Sequence, residues 1–98
     1  MLKIKRVASS IREITLQLDG RVAGQWVELL RGSAESVIEE GLLLTLDLEN
    51  ICFIDCEGLA LIKSLIDRGV RPVKVPLFVV EQLRRCEAAK VIEVEREQ

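Results

Sequence analysis

Two short stretches near the start of the chain alternate apolar and polar residues, and each predicts a β-strand. Residues 2–7 alternate roughly between apolar side chains and Lys or Arg, and residues 14–18 alternate Ile or Leu with Thr15 and Gln17. A period of two places the apolar side chains on one face of a strand. A turn at Ser9-Ser10 would make the two strands antiparallel, and Asp19-Gly20 is predicted to end the second strand in a turn.

From residue 23 the apolar period changes to that of an amphipathic helix. Gly41 is predicted to end this helix. Gly32 is predicted to bend or break it, because Gly costs about 1 kcal/mol relative to Ala inside a helix. Trp26 is assigned to the core. The predicted apolar face consists of Ala23, Trp26, Val27, Leu30, Ala34, Val37 and Ile38.

The middle of the chain predicts a buried strand followed by a second helix. Residues 42–48 are almost continuously apolar, which is typical of a strand covered on both faces in a parallel sheet. Residues 51–54 are interpreted as a connecting segment. Asp55 is predicted to cap the helix, because its side chain can accept hydrogen bonds from the free N–H groups of the first turn. Gly69 is predicted to end it.

The last third of the chain predicts a strand, a helix and a final strand. The first strand covers residues 71–75, and Pro76 fits the first position of the helix. Residues 91–94 form the final strand. The order β-β-α-β-α-β-α-β predicts one α/β domain over residues 1–98 with a mostly parallel or mixed sheet. The predicted third helix face is Val79, Val80, Leu83 and Cys86.

Composition and charge exclude several classes of function. The chain has 14 Lys and Arg against 16 Asp and Glu, and its net charge of −2 argues against a strongly basic nucleic-acid binder. Aromatic residues make up only 3%, so no stacking platform for single strands is expected. No apolar run approaches the roughly 18 residues that a membrane span needs. We therefore expect a soluble cytoplasmic protein that binds no nucleic acid and does not insert into membranes.

The chain contains no histidine, which removes His-based triads, His zinc sites and the commonest general base. Its three cysteines are Cys52, Cys56 and Cys86. An odd number favours reduced thiols in a cytosolic protein over a disulfide framework. We interpret them as small buried hydrophobic residues, since Cys52 and Cys56 do not have the spacing of a usual zinc knuckle. No cofactor or metal is expected.

The segment from Leu44 to Ile62 resembles the signature of the STAS family, the sulphate transporter and anti-sigma factor antagonist domains. In that family a buried strand leads through a hydrophobic loop to an Asp-Ser-Ser/Thr-Gly-Leu motif that begins a helix. The corresponding residues here are Asp55-Cys56-Glu57-Gly58-Leu59.

Two weaker matches accompany the motif. Leu18-Asp19-Gly20-Arg21 resembles the Gly-containing turn before the family's first helix, and Val75-Pro76 resembles the start of a late helix. The resemblance covers nearly the whole chain. It implies a mixed sheet of four to five strands with three helices mainly on one face, in a protein-binding module without catalysis.

The chain departs from the family at the residue that a partner kinase phosphorylates in anti-sigma factor antagonists. That position is Glu57, and the preceding hydroxyl position is Cys56, so neither can accept a phosphoryl group from a serine kinase. Glu57 has one negative charge, against about −1.5 to −2 for a phosphoserine. It either acts as a permanent, incomplete mimic of the phosphorylated state or simply stabilises the start of the helix.

Other residues near the motif also have two interpretations each. Gly58 is either a bare backbone patch that a partner approaches or a site of tight helix-on-sheet packing. Cys56 is a reactive thiol at a helix start or a structural residue. Asp47 and Asp55 either form a Mg²⁺ site or acid–base pair, or accept capping and loop hydrogen bonds. The sequence favours the structural interpretation for Cys56 and for the two Asp residues.

The resemblance implies a bacterial signalling module that a kinase-like anti-sigma factor ATPase binds. The alternatives are a small cytoplasmic STAS subunit of a lipid-transport ATPase, which needs no phosphoserine, and a self-associating scaffold, for which a homodimer is possible. An enzyme is not expected, because no base or nucleophile motif is visible. The predicted partner-binding residues are Asp19, Gly20, Arg21, Asp55, Cys56, Glu57, Gly58 and Leu59.

Overall fold

A computed structural model describes residues 1–85 of the chain. Its elements follow the predicted order as far as the described region extends, and the third helix, α3, covers residues 77–85. Cys86 and the predicted final strand at residues 91–94 lie outside the described residues. The other elements are β1 (Leu2–Ala8), β2 (Glu13–Val22), α1 (Gln25–Glu39), β3 (Leu43–Ile54), α2 (Cys56–Asp67) and β4 (Arg71–Val73).

Four strands form one mixed sheet in the order β1-β2-β3-β4. β1 and β2 pair antiparallel, as their short connection requires, and β2 with β3 and β3 with β4 pair in parallel. The parallel pairs need crossover helices, and α1 and α2 provide them. The α/β class with a mixed four-stranded sheet and three helices is therefore confirmed.

The core lies between one face of the sheet and the helices. Fully buried Leu side chains line the sheet at alternate positions, and burying each one stabilises the fold by about 1.5–3 kcal/mol. Helix α1 contributes the residues of its predicted apolar stripe except Ala23, which lies before the helix, and Trp26 packs half-buried against the core. The principal contributors are Leu16, Leu18, Leu46 and Leu48 from the sheet and Val27, Leu30, Ala34, Val37, Ile62, Leu65 and Val79 from the helices.

Strand β3 departs from the prediction in its burial. Alternate residues such as Leu44 and Leu46 are buried, whereas Leu43 is 63% exposed and Thr45 only half-buried. The expectation of a strand covered on both faces was therefore wrong, because apolar composition alone does not reveal which face the helices cover.

Strands β2 and β3 are also longer than predicted, and two β-bulges explain why. Gln17 pairs with Asp47, but two residues later Asp19 pairs with Asn50, so β3 contains one extra residue, and a second shift follows after Gly20. At the first bulge the Asp47 carboxylate accepts the Glu49 N–H at 3.1 Å. The bulges change the spacing of buried β3 residues from two to three.

These bulges correct two predictions. Residues 51–54 are part of β3 and not a connecting segment. Asp19, Gly20 and Arg21 lie within β2 and not in a turn, because β2 continues to Val22 before the chain leaves the sheet. The turn before α1 is formed instead by residues 23–24.

Helix α1 runs without a break through Gly32, contrary to the predicted bend. Leu30 and Ala34 on either side are fully buried, so core packing outweighs the local cost of Gly. Pro76 directly precedes α3, and its carbonyl accepts from the N–H groups of Val79 and Val80.

Replacing Gly32 with Ala is expected to stabilise the protein by about 0.5–1 kcal/mol. A Cβ at this position would meet no heavy atom within 4 Å, so only the gain in helix propensity remains. Urea unfolding followed by circular dichroism measures the change. An unchanged or lower free energy of unfolding would contradict an uninterrupted helix at this position.

Candidate functional site

Asp55 lies at the junction of three segments: the end of β3, the start of α2 and the loop before α1. It is the N-cap of α2, as predicted, and its Oδ1 accepts the Gly58 N–H at 2.7 Å. Its Oδ2 accepts the N–H of Gly24, 31 residues away, at 2.9 Å. The Asp55 N–H itself donates to the Val22 carbonyl at 3.1 Å. We call this set of three bonds the Asp55 clamp.

The Asp55 clamp brings two helix N-termini to one carboxylate. Gly24 is the N-cap residue of α1 and offers no side chain to cap it. The N-terminal end of each helix has a partial positive charge, so the anionic Asp55 is favoured by both. Hydrogen bonds from Gly24 and then Gly58 hold the pKa of Asp55 below its ordinary value of 3.8. The carboxylate is therefore ionised at neutral pH.

Gly58 lies on the buried side of α2, where the helix packs against the end of β2. It is buried, and a Cβ there would lie 2.3 Å from the Val22 carbonyl oxygen and 2.8 Å from Val22 Cγ1. Such approaches are shorter than any real contact, so α2 can pack this closely on the end of β2 only with Gly at this position. The structure favours the packing interpretation of Gly58 over a backbone patch that a partner approaches.

Cys56 and Glu57 occupy the exposed first turn of α2. Glu57 lines a groove of about 330 Å³ between α1 and α2, together with Glu28 and Arg31. On the other flank of α2, Cys56 and the half-buried Leu59 line a groove of about 390 Å³ towards α3. The exposed part of the motif therefore lies between these two grooves and presents the Glu57 carboxylate and the Cys56 thiol.

The other predicted site residues lie on the adjacent strand. Gly20 adopts φ +115°, and a Cβ there would be 2.3 Å from the Met1 carbonyl oxygen, so this Gly allows the start of β1 to pack closely. Arg21 donates its N–H to the same carbonyl at 3.0 Å. Asp19 is exposed and pairs in register with Lys3 on β1.

Phe53 is a functional candidate that the sequence did not identify. It is 46% exposed, and the Arg21 guanidinium lies over its ring, 5.6 Å from the centroid. A cation at this distance is attracted to the face of an aromatic ring. The sequence pattern did not indicate Phe53, because residues 51–54 were interpreted as a connecting segment. The two bulges together return Phe53 to the outward face that odd-numbered residues of β3 have before the first bulge.

The cysteines of the described region differ from the prediction. Cys52 and Cys56 are free thiols, but both are exposed and not buried hydrophobic residues. Cys52 lies at the second bulge, where its thiol donates to the Gly20 carbonyl at 3.4 Å. Exposure follows from the bulge for Cys52 and from the outward side of the first helical turn for Cys56.

The carboxylates of Asp47 and Asp55 are both engaged in local hydrogen bonds. Asp55 holds two backbone N–H groups, and Asp47 accepts from Glu49 and lies 3.9 Å from the Lys74 ammonium. These contacts agree with the capping and loop interpretation. Within residues 1–85 no group of three or more acidic or Cys side chains is arranged to hold a metal ion. In the same region, no helix combines the length and apolar character needed to cross a membrane.

The fold is similar to that of a solved structure, the unphosphorylated form of the anti-sigma factor antagonist SpoIIAA. The match has a TM-score of 0.56 and 18% sequence identity, and it covers 66% of this chain and 61% of that protein. The chain has a STAS-like fold. No protein-family model matches the sequence, and no curated protein matches it closely enough to count as a relative. Structure therefore supports the resemblance that the Asp55–Leu59 motif suggested.

Replacing Asp55 with Asn is expected to destabilise the protein at neutral pH, because Asn has one acceptor oxygen where the clamp needs two. The wild-type pKa is lowered on folding, so the stabilisation is fully present above pH 3.8 and is lost as pH falls through the folded pKa. The stability gap between wild type and D55N should therefore shrink below pH 3.8. Urea unfolding at pH 7 and in steps below pH 4 measures it.

Asp67→Asn, the same chemical change at the exposed end of α2 and outside the Asp55 clamp, is the matched control. A constant gap between wild type and Asp55→Asn down to the lowest pH would contradict the ionised clamp.

Replacing Gly58 with Ala is expected to destabilise the protein by about 1–3 kcal/mol, because the new methyl group forces α2 away from Val22. The comparison is with Gly32→Ala, the same chemical change in open space. Equal free energies of unfolding for the two variants would show that α2 does not pack on β2 as described.

Proposed function

We propose that this protein is a non-catalytic, cytoplasmic protein-binding module that acts as an anti-sigma factor antagonist and is not controlled by phosphorylation at the start of α2. The observation that carries the proposal is the place of Glu57. Its carboxylate is exposed in the first turn of the helix that Asp55 caps, where the motif of the STAS family has its phosphoacceptor.

The chemistry of the helix start supports a fixed state. Neither Glu57 nor Cys56 has a hydroxyl group, so a serine kinase has no acceptor at this turn. The Glu57 carboxylate is part of the chain, not an added group that a phosphatase could remove, and it lies at the positive end of the α2 dipole, where an anion is well tolerated. The protein therefore presents to its partner one constant, partly phosphate-like surface.

The proposed partner surface combines this charge with an aromatic anchor. Phe53 and Arg21 lie just before Asp55 and its bonding partner Val22, and Cys56 and Glu57 directly follow Asp55. Aromatic and Arg side chains are enriched among the residues that dominate binding energy, and charged residues at the rim fix orientation. Binding would thus depend on Phe53 for affinity and on Glu57 for specificity.

The partner that fits this proposal is a kinase-like anti-sigma factor. The alternative is the ATPase of a lipid-transport complex, which the resemblance of residues 58–62 to small STAS subunits suggests. Both partners would approach the start of α2. They differ in kind, since the first is a regulator of transcription and the second is part of a membrane complex.

The test begins with affinity capture of partners from the source cell with the wild-type protein, followed by calorimetry with the purified partner. Glu57→Lys is expected to weaken binding about tenfold, equivalent to about 1.4 kcal/mol. Phe53→Ala should weaken it at least as much. Glu57→Ser, mixed with a cognate kinase and ATP, should become phosphorylatable and switch in affinity.

Glu39→Lys is the control, because it makes the same charge change at the exposed far end of α1. Equal effects of Glu39→Lys and Glu57→Lys would exclude the start of α2 as the partner surface. Capture of a membrane ATPase as the dominant partner would instead support the alternative function, a small subunit of a lipid-transport ATPase.

A further inference from the structure

A second concave surface lies on the opposite flank of α1, between that helix and the edge strand β1. Its volume is about 590 Å³, and we call it the edge groove. Its floor is Ile4 and Leu16 from the sheet, and its wall is formed by α1. The residues of that wall are Glu28, Leu29, Gly32, Ser33 and Ser36.

The edge groove is open, and apolar surface from Ile4, Leu16 and Leu29 lies in it beside polar and charged side chains. Leu29 on α1 is 46% exposed, and Ile4 on the helix-covered face of β1 is only half-buried. Gly32 adds no side chain to the wall, and a Cβ there would find empty space within 4 Å. An ion pair between Arg6 and Glu40, at 3.0 Å, closes one end. The groove therefore has room for apolar side chains.

Strand β1 forms the rim of this groove, and in residues 1–85 it has a strand neighbour on one side only. Its seven residues leave a row of backbone donors and acceptors for another extended segment. A groove between an edge strand and a neighbouring helix is the geometry in which peptides bind by adding a strand to a sheet. Alternate side chains of such a peptide would enter the edge groove.

The charged side chains of β1 determine which kind of extended segment can pair with it. Along β1, Leu2 and Ile4 face the helices, so the exposed Lys3 and Lys5 lie on the opposite face of the sheet. Lys residues on an edge strand discourage pairing with neutral or basic strands. An acidic side chain directly opposite a Lys is favourable instead. On β2, Lys3 already has Asp19 opposite it, whereas Lys5 has the neutral Gln17, so Lys5 gains most from an acidic neighbour on the added strand.

We propose that β1 and the edge groove bind an extended segment of a partner protein in which apolar residues alternate with acidic ones. The apolar side chains enter the groove beside Ile4 and Leu29, and the acidic side chains face Lys3 and Lys5. This surface is separate from the start of α2, so it does not depend on the function proposed above.

The probe is a synthetic seven-residue peptide of alternating Val and Glu with blocked ends. Calorimetry at 0.15 M salt measures affinity, and amide chemical shifts locate the peptide on residues 2–8 and 29–36 of the full chain. The expected result is binding to these residues. The double variant Lys3→Glu/Lys5→Glu should weaken binding about tenfold or more. It removes two favourable Lys–Glu pairs between β1 and the peptide and replaces each with a repulsive Glu–Glu pair.

Gly32→Leu is the second variant, because a Cβ at this position meets no heavy atom within 4 Å and the added side chain would occupy the groove that Gly32 lines. It should abolish binding and leave the circular dichroism spectrum unchanged. Two control peptides complete the design: Val alternating with Lys, and the Val-Glu peptide with Pro at its centre. Both should fail to bind, the first by charge and the second because Pro cannot complete the strand ladder.

Several outcomes would overturn the proposal. Absence of binding would mean that the Lys residues only protect the edge. Equal binding of the Lys peptide would exclude charge selection, and equal binding by Gly32→Leu would exclude the groove. If sedimentation equilibrium finds a dimer that pairs through β1, the occupant is a second copy of the chain and not a partner segment.

Discussion

Most of the geometry of this protein depends on one carboxylate. Asp55 uses both oxygens to hold the backbone N–H groups of Gly24 and Gly58, and its own N–H holds the carbonyl of Val22. Through these bonds the beginnings of two helices and the ends of two parallel strands meet at one point. The strength of the arrangement comes from charge, because hydrogen bonds to an ionised acceptor are about twice as strong as neutral ones.

At the start of α2, the residues of the motif that maintain the fold are different from those that are exposed. Gly58 faces the sheet and must lack a side chain, whereas its neighbour Glu57 faces outward and makes no contribution to the core. The helix start can therefore change its surface chemistry at residues 56 and 57 without disturbing the fold, as long as Asp55 and Gly58 stay. In this chain those two exposed positions are Cys56 and Glu57, and the fold beneath them is STAS-like.

The sequence predicted the parts of the fold that depend on local rules. The apolar stripe of α1, the N-cap role of Asp55 and the ends of the helices at Gly41 and Gly69 follow from periodicity and capping, which act over a few residues. The bond from Asp55 to Gly24 could not be predicted, because it joins positions 31 residues apart. Only part of the α2 site could therefore be predicted. The motif at the helix start could be identified from the sequence, but the hydrogen bond that joins Asp55 to the start of α1 and the exposure of Phe53 could not.

The errors in the bounds of β2 and β3 have a single physical source, the two bulges. Leu48, Ile51 and Ile54 are all buried although they are three residues apart, because each interval contains a bulge. Buried residues in a regular strand are two apart, so a spacing of three between buried residues indicated a loop. Asp19-Gly20 gave the matching error on the neighbouring strand, where a dipeptide typical of turns lies opposite the bulges.

The bulges have one more consequence, for the length of chain that this fold accepts. A bulge is a position where the loss of one residue restores regular pairing instead of destroying it. One residue could be lost at either bulge while β2 and β3 stay paired up to Asp55, so the fold does not fix the chain length immediately before the helix cap.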